Sequence, residues 1–167
     1  RGIELKHPIM VEQWAKHFKP FSVLDLGCGR GPYLYFWNWF TSRTMGAELS
    51  QWAIDHAFVP GILKTDITKC WCTDDTWDLI TAIDVLEHLD DHGLNMCLAE
   101  MSNHGDKFIF SIPFIGDPNL TNDKTHKQFR TKDEWVKLIE SHDIKIEETP
   151  QHWLFKDQIL IGRKLYK

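Results

Sequence analysis

Asp25, Gly27, Gly29 and Gly31 set one carboxylate and three positions without a Cβ inside seven consecutive residues. Glycine adopts backbone angles closed to other residues and lets a ligand approach the main chain, so this turn is a seat for a small molecule. Cys28 lies inside it. Two well-known glycine loops fail to match: Pro32 stands where the dinucleotide fingerprint G-x-G-x-x-G needs a small residue, and no G-x-x-x-x-G-K-[ST] loop is present. Downstream, Glu48 and Asp84 end apolar runs and Asp66 follows one. A carboxylate at a strand end about 20 residues past a glycine turn can accept both hydroxyl protons of a ribose, so Glu48 is either that acceptor or a solvated strand-end charge. Asp66 either accepts a ligand's amino protons or caps the turn from Thr65 to Thr68. His88 and His126 titrate near neutral pH, which suits a general base, although His88 could equally hold its loop and His126 could be a solvated loop residue.

These residues need a strand before each of them. Phe21 and the run Val23-Leu24-Asp25-Leu26 read as a buried strand, with Pro32 suited to the first position of a following helix. Thr44 to Glu48 reads as a second strand, with Ser50 capping a helix through Ala57. Gly61 to Ile67 is a third, Trp77 to Ile83 a fourth with Asp84 at its far end, and Lys107 to Pro113 a fifth. Met10, Val11, Trp14, Ala15 and Phe18 describe one apolar face of a helix that covers the sheet or the ligand mouth. Residues 32–40 carry six aromatic rings and read as a helix buried on most sides, or as one whose rings wall a pocket. Leu94, Cys97, Leu98 and Met101 form a helical stripe, and Thr131 to Glu134 is a capping box ahead of Trp135, Leu138 and Ile139. Residues 114–130 are polar and too long for an ordinary connection, which marks a functional loop. Asp117 and Asn119 within it offer only two oxygens to magnesium. Ile144 to Glu147 alternates as a strand, and Trp153 to Leu165 reads as a last one, joined to it by a short hairpin connection at residues 148–152.

The run Val-Leu-Asp-Leu-Gly-Cys-Gly-Arg-Gly at positions 23–31 resembles the first motif of the class I S-adenosylmethionine (SAM) dependent methyltransferases. The resemblance extends over nearly the whole chain. It implies a three-layer, Rossmann-like, doubly wound α/β sheet of seven strands, mostly parallel, closed by a C-terminal antiparallel hairpin. It also implies SAM as cofactor and S-adenosylhomocysteine as product. Asp25, Gly27, Cys28, Gly29 and Gly31 would shape the methionine end, Glu48 and Leu49 the ribose side, Asp66 and Ile67 the adenine side, with Asp84 and Val85 closing the pocket. The run Val85-Leu86-Glu87-His88 is similar to the end of the fourth strand in the small-molecule branch, and residues 117–126 resemble acceptor loops of sugar-type members. No Asn-Pro-Pro-Tyr or Asp-Pro-Pro-Tyr follows that strand, which removes weight from methylation of amino groups on bases or glutamine.

Length and charge agree with this. A chain of 167 residues, 43% hydrophobic, suits one compact domain over residues 1–167. A net charge of −5 supplies no general field for a phosphate backbone, so nucleic acid is not favoured. No run is long enough to span a membrane and no leader pattern opens the chain, which leads us to expect a cytoplasmic protein. Starting at Arg1, the sequence leaves room for further terminal segments. Cys28, Cys70, Cys72 and Cys97 lack zinc-finger spacing and read as free thiols. Glu87, His88, Asp91 and His92 have metal-ligating side chains at helical spacing, but acids in a first helical turn need no metal, and none is expected. The sequence therefore predicts transfer of the SAM methyl group to an oxygen, or less readily a nitrogen, of a small molecule or sugar, with His88 or His126 as base. A silent SAM-binding subunit or, more distantly, an NAD-dependent oxidoreductase are the alternatives.

Overall fold

A computed structural model describes residues 3–71 and 75–166. Cys72 lies outside the described residues; Cys28 and Cys97 are free thiols. The elements run in the order α1 (Lys6–Phe18), β1 (Ser22–Leu26), α2 (Pro32–Trp37), β2 (Arg43–Glu48), α3 (Gln51–Asp55), β3 (Ile62–Lys64), β4 (Trp77–Ile83), α4 (Asp91–His104), β5 (Gly105–Ser111), α5 (Pro118–Asn122), α6 (Lys132–Glu140), β6 (Ile144–Glu147) and β7 (Ile159–Lys164), with 3-10 turns at Leu86–His88 and Lys156–Gln158. The seven strands lie in the order β3-β2-β1-β4-β5-β7-β6. The first five are parallel, and β7 runs antiparallel to both β5 and β6.

Strand periodicity builds the layers. Successive side chains point to opposite faces, and the buried strands split accordingly. Leu24, Ile80, Phe108, Phe110 and Leu160 face a core completed by Leu94, Leu98 and Met101 of α4 and by Trp135 and Ile139 of α6. Val23, Leu79, Ile109, Ile159 and Ile161 face the other core, completed by Met10, Val11, Trp14 and Phe18 of α1 and by Phe36 and Trp37 of α2. Helices therefore cover both faces, the three-layer doubly wound arrangement expected.

Three readings of the sequence need correction. Residues 153–165 are not one strand: Phe155 adopts a left-handed conformation (φ 57°), a 3-10 turn follows, and the strand begins only at Ile159. The hairpin connection is correspondingly long, and Trp153 folds inward at 4% exposure against His17 and Phe18. The aromatic helix stops at Trp37 rather than running on to Phe40: Pro32, Leu34, Phe36 and Trp37 are buried within it, while Tyr35 and, past its end, Trp39 (64% exposed) and Phe40 lie at the surface. Inside the long polar segment, Asp117 caps the short helix α5, its Oδ1 accepting from the Asn119 N–H at 2.8 Å. No helix among the described residues is long and apolar enough to cross a membrane.

Candidate active site

Parallel strands bring their carboxyl ends to one edge. Leu26 pairs level with Ala47 and Ala82, Ala82 with Phe110, and Ile83 with Ser111. The residues that follow, Gly27, Glu48, Asp84 and Ser111, therefore share that edge. Between β1 and β4 the strand order reverses direction, and in open α/β sheets ligands bind in the crevice at such a point.

The glycine turn is built for close approach. Gly27 has φ +58°, and a Cβ there would lie 2.5 Å from Val85 Cγ2, so the turn and the β4 exit fit only without a side chain. Gly29 has φ +57° and open space where its Cβ would stand. The Gly29 N–H donates to Glu48 Oε2 at 2.8 Å, and the Ser50 N–H to Glu48 Oε1 at 2.7 Å. Glu48 thus ties β2 to the turn, and each oxygen keeps a further lone pair. Asp25, 1% exposed, accepts from Thr81 Oγ1 at 2.6 Å through Oδ1, and its Oδ2 has no hydrogen-bond partner among the described residues. Burial pushes its carboxyl up to about 7; the Thr81 bond opposes this and the charge of Glu48 adds to it. Burial also raises the Cys28 thiol, with Asp25 and Glu48 adding to it, so Cys28 is no nucleophile.

Two clefts open at this edge. The smaller, about 270 Å³, is lined by Asp25, Gly27, Cys28, Gly29, Ile83 and His88 among others. The larger, about 470 Å³, is lined by Glu87, Ser111, Asn119, Asn122, Asp123, His126 and Gln158 among others. Lys6, Tyr33 and Asp84 border both, so the clefts adjoin. Asp84 is held there in a left-handed conformation (φ 54°), with its N–H on the Ser111 carbonyl and its Oδ1 accepting from Ser111 Oγ at 3.1 Å.

The remaining expected residues sit farther from these clefts. Glu48, Leu49, Asp66, Ile67 and Val85 line neither, and Gly31 caps α2. Asp66 is committed to its own turn, with Oδ1 accepting from the Thr68 N–H and hydroxyl and Oδ2 paired with Lys69 at 3.1 Å. Those bonds hold its carboxyl below the usual range. This is the capping alternative read from the sequence. Leu49 is 61% exposed, Ile67 joins the core, and Val85 buttresses Gly27. Asp117 is likewise used up, by Asn119 and by Gln158 Nε2.

His88 and His126 meet, with ring centroids 4.7 Å apart. The loop that carries His126 is fastened to the 3-10 turn that carries His88. The Lys127 and Gln128 N–H groups both donate to the Glu87 carbonyl at 2.8 and 3.0 Å, Gln128 Nε2 donates to the Leu89 carbonyl, and Arg130 pairs with Asp91 at 2.9 Å. His126 Nδ1 must donate to the Leu120 carbonyl at 2.8 Å, because that oxygen can only accept. In the neutral ring its Nε2 is then the lone-pair nitrogen, and it lies 3.9 Å from Glu87 Oε1. Thr125 Oγ1 gives its one proton to Asp123 Oδ1 at 2.6 Å, so it accepts from His88 Nδ1 at 2.9 Å, and the same tautomer follows for His88. The helical grouping of Glu87, His88, Asp91 and His92 does not form, since Asp90 caps a new helix at Asp91 and leaves His88 in the turn before it.

Sequence reading missed Lys6, Ser111 and Gln158 as lining residues. Their positions carry no motif, and Gln158 was hidden by the misread last strand.

The methyltransferase-domain family model matches residues 4–147. Comparison with curated proteins finds no match. Among solved structures, a SAM-dependent methyltransferase from Clostridium acetobutylicum superposes with a TM-score of 0.76 at 16% identity, covering 97% of this chain and 92% of its own. The SAM-bound amino pentose methyltransferase CalS10 from Micromonospora echinaspora gives 0.76 at 14%, covering 98% and 92%. The sugar N-methyltransferase KedS8 from Streptoalloteichus gives 0.77 at 10%, covering 99% and 89%. At these identities the likeness is one of fold, and it is the fold of the matched family. The chain belongs to the class I SAM-dependent methyltransferases.

Proposed function

We propose that this enzyme methylates a hydroxyl oxygen of a polar small molecule, of sugar type, held in the larger cleft. The observation that carries this is the lining of that cleft: Ser111, Asn119, Asn122, Asp123 and Gln158 offer donors and acceptors at many angles, the match for a polyhydroxyl compound. The smaller cleft suits the cofactor's methionine end, because Gly29 leaves open space and Asp25 Oδ2 is a buried acceptor without a partner among the described residues. Gly27, Gly29 and Asp25 would hold that end, and Glu48 the ribose. When bound, SAM supplies a methyl group already activated by its sulfonium. The protein's share is then to orient the acceptor at the junction of the clefts, to exclude water, and to receive charge as the hydroxyl loses its proton. Glu87 and His126, which line the larger cleft, and His88, which lines the smaller, would take that last task.

A nitrogen acceptor is the second reading, favoured by the carboxylates Asp84, Glu87 and Asp123 along the same cleft, which would hold an amino sugar's ammonium. The test is a panel of hydroxyl and amino sugars assayed for S-adenosylhomocysteine and for methylated product. Ether products support the first reading, and methylamines with no ether support the second. Cofactor turnover with neither, across the panel, removes the sugar class.

Asp25 gives a pH signature. Its folded pKa of about 7 lies above the ordinary carboxylate value of 3.8, so the native state holds a proton that the unfolded chain has lost between about pH 4 and 7. Stability from this group is present below pH 4, falls across that window and is level above it. The stability of Asp25→Asn relative to the parent should therefore rise by about 2–4 kcal/mol from pH 4 to 8, as read by urea unfolding. A cation entering the cleft ionises Asp25 again, so SAM binding at pH 6.5 should release protons. Calorimetry in buffers of different ionisation enthalpy detects this, and Asp25→Asn should abolish it. Proton release unchanged in that variant would remove Asp25 from the cofactor site.

A further inference from the structure

We propose that Glu87, His88 and His126 form a binding site for a divalent first-row transition-metal ion at the junction of the two clefts. Each offers one ligand atom, and the three atoms lie within 4.8 Å of one another. Glu87 is 1% exposed and the His126 side chain 6%, so this is no surface cluster of acids.

The second observation is how the imidazoles are held. A metal-ligating histidine characteristically gives its other ring N–H to a carboxylate, a backbone carbonyl or water, which fixes tautomer and orientation. His126 does so directly, and His88 meets a hydroxyl that is itself held by a carboxylate. His126 donates through Nδ1 to the Leu120 carbonyl, and His88 through Nδ1 to Thr125, whose own proton is held by Asp123. Each Nε2 is thereby the basic nitrogen. The backbone bonds from Lys127 and Gln128 to the Glu87 carbonyl fix the loop against the turn, so the three ligands are already gathered. Ligand atoms about 2.1 Å from one ion stand roughly 3–3.5 Å apart, and the 3.9 Å between His126 Nε2 and Glu87 Oε1 needs only a small closing movement.

Two imidazoles and one carboxylate select Mn²⁺, Fe²⁺, Co²⁺ or Zn²⁺ over Mg²⁺ and Ca²⁺, which take mostly oxygen ligands. Three protein ligands leave positions open for an acceptor. His126 and Glu87 line the larger cleft and His88 the smaller, so the ion sits between acceptor and cofactor. The acceptor's hydroxyl oxygen coordinates the ion, which lowers its pKa. The proton leaves to solvent, and the O–CH₃ bond forms as the S–CH₃ bond breaks, leaving the thioether. The catalytic purpose rests on the proposed methyl transfer; the binding does not, and is measured without cofactor or acceptor.

The full chain, freed of metal with a chelator, is titrated with Co²⁺ and Mn²⁺, read by Co²⁺ visible absorption and Mn²⁺ electron paramagnetic resonance, with Mg²⁺ as the comparison. The expected result is one saturable site with a Kd tighter than about 100 µM, weakened about 100-fold or more in His88→Gln, His126→Gln and Glu87→Gln. Thr125→Val, which removes the hydroxyl between His88 and Asp123 and no ligand atom, should cost roughly 10- to 100-fold. It carries the test should a ligand variant fail to fold. No saturable Co²⁺ or Mn²⁺ binding, or equal affinity in these variants, overturns the site. SAM calorimetry on the same preparations separates the two ideas: metal binding without SAM binding would sink the cofactor assignment and leave the metal site standing.

Discussion

His126→Ala lowers kcat by about 10²- to 10⁴-fold while SAM affinity stays within about twofold of the parent. The reason is placement. His126 lines the larger cleft and not the smaller, and its Nε2 is fixed as the basic nitrogen by the Leu120 carbonyl. Whether that nitrogen takes the proton itself or holds a cation, removing it raises the barrier of the chemical step and leaves the cofactor's contacts alone. His88→Ala should fall in the same range, with a second signature, because it lines the smaller cleft, where SAM is proposed to bind, so its loss should reach SAM affinity as well. Single-turnover kinetics with saturating SAM, beside calorimetry, measure both. A His126→Ala enzyme with undiminished kcat would remove this residue from the reaction.

Two glycines should fail in different ways. Gly27→Ala combines a left-handed backbone with a Cβ 2.5 Å from Val85 Cγ2, where β4 leaves the sheet and little can yield. Overpacking of this kind costs about 1–3 kcal/mol and the backbone about 1–2 kcal/mol more, so urea unfolding should show a loss of about 2–5 kcal/mol. Gly29→Ala pays only the backbone cost, about 1–2 kcal/mol, because its Cβ meets nothing within 4 Å. Gly29 lines the smaller cleft, so with SAM seated there, as proposed, Gly29→Ala should raise the SAM Kd by about tenfold or more while remaining folded. Wild-type SAM affinity in Gly29→Ala would place the cofactor elsewhere.

The glycine turn, its strand and Glu48 were legible in the sequence because the constraint is local. A chain that must turn within a few residues shows glycine, and a strand end about 20 residues on shows its acid. The fourth and fifth strands were legible as apolar runs, Trp77 to Ile83 and Lys107 to Pro113. The start of the last strand was not. Trp153, Leu154 and Phe155 have strand composition, yet Trp153 is drawn into the core against α1 and Phe155 turns left-handed, which local propensity cannot foresee. The His88, His126 and Glu87 grouping was hidden for a related reason. It depends on Gln128 and Arg130 fastening a distant loop to the Glu87–Leu89 turn, whereas helical spacing pointed to His92, which stands inside α4. Asp66 shows the opposite case, since its neighbour Thr68 supplied the capping alternative in advance.

Calorimetric titration of the chain with SAM and S-adenosylhomocysteine, against NADH and with Glu48→Ala as control, tests the cofactor site most directly. Glu48 anchors Gly29 and Ser50 and keeps a further lone pair on each oxygen, which the proposed site would offer to a ribose, and hydrogen bonds to a charged group contribute about 1.5–3 kcal/mol. The expected result is micromolar binding of both adenosyl ligands, weakened about tenfold or more in Glu48→Ala, with no binding of NADH. Binding of NADH in their place, or adenosyl affinity unchanged by Glu48→Ala, would contradict the site described.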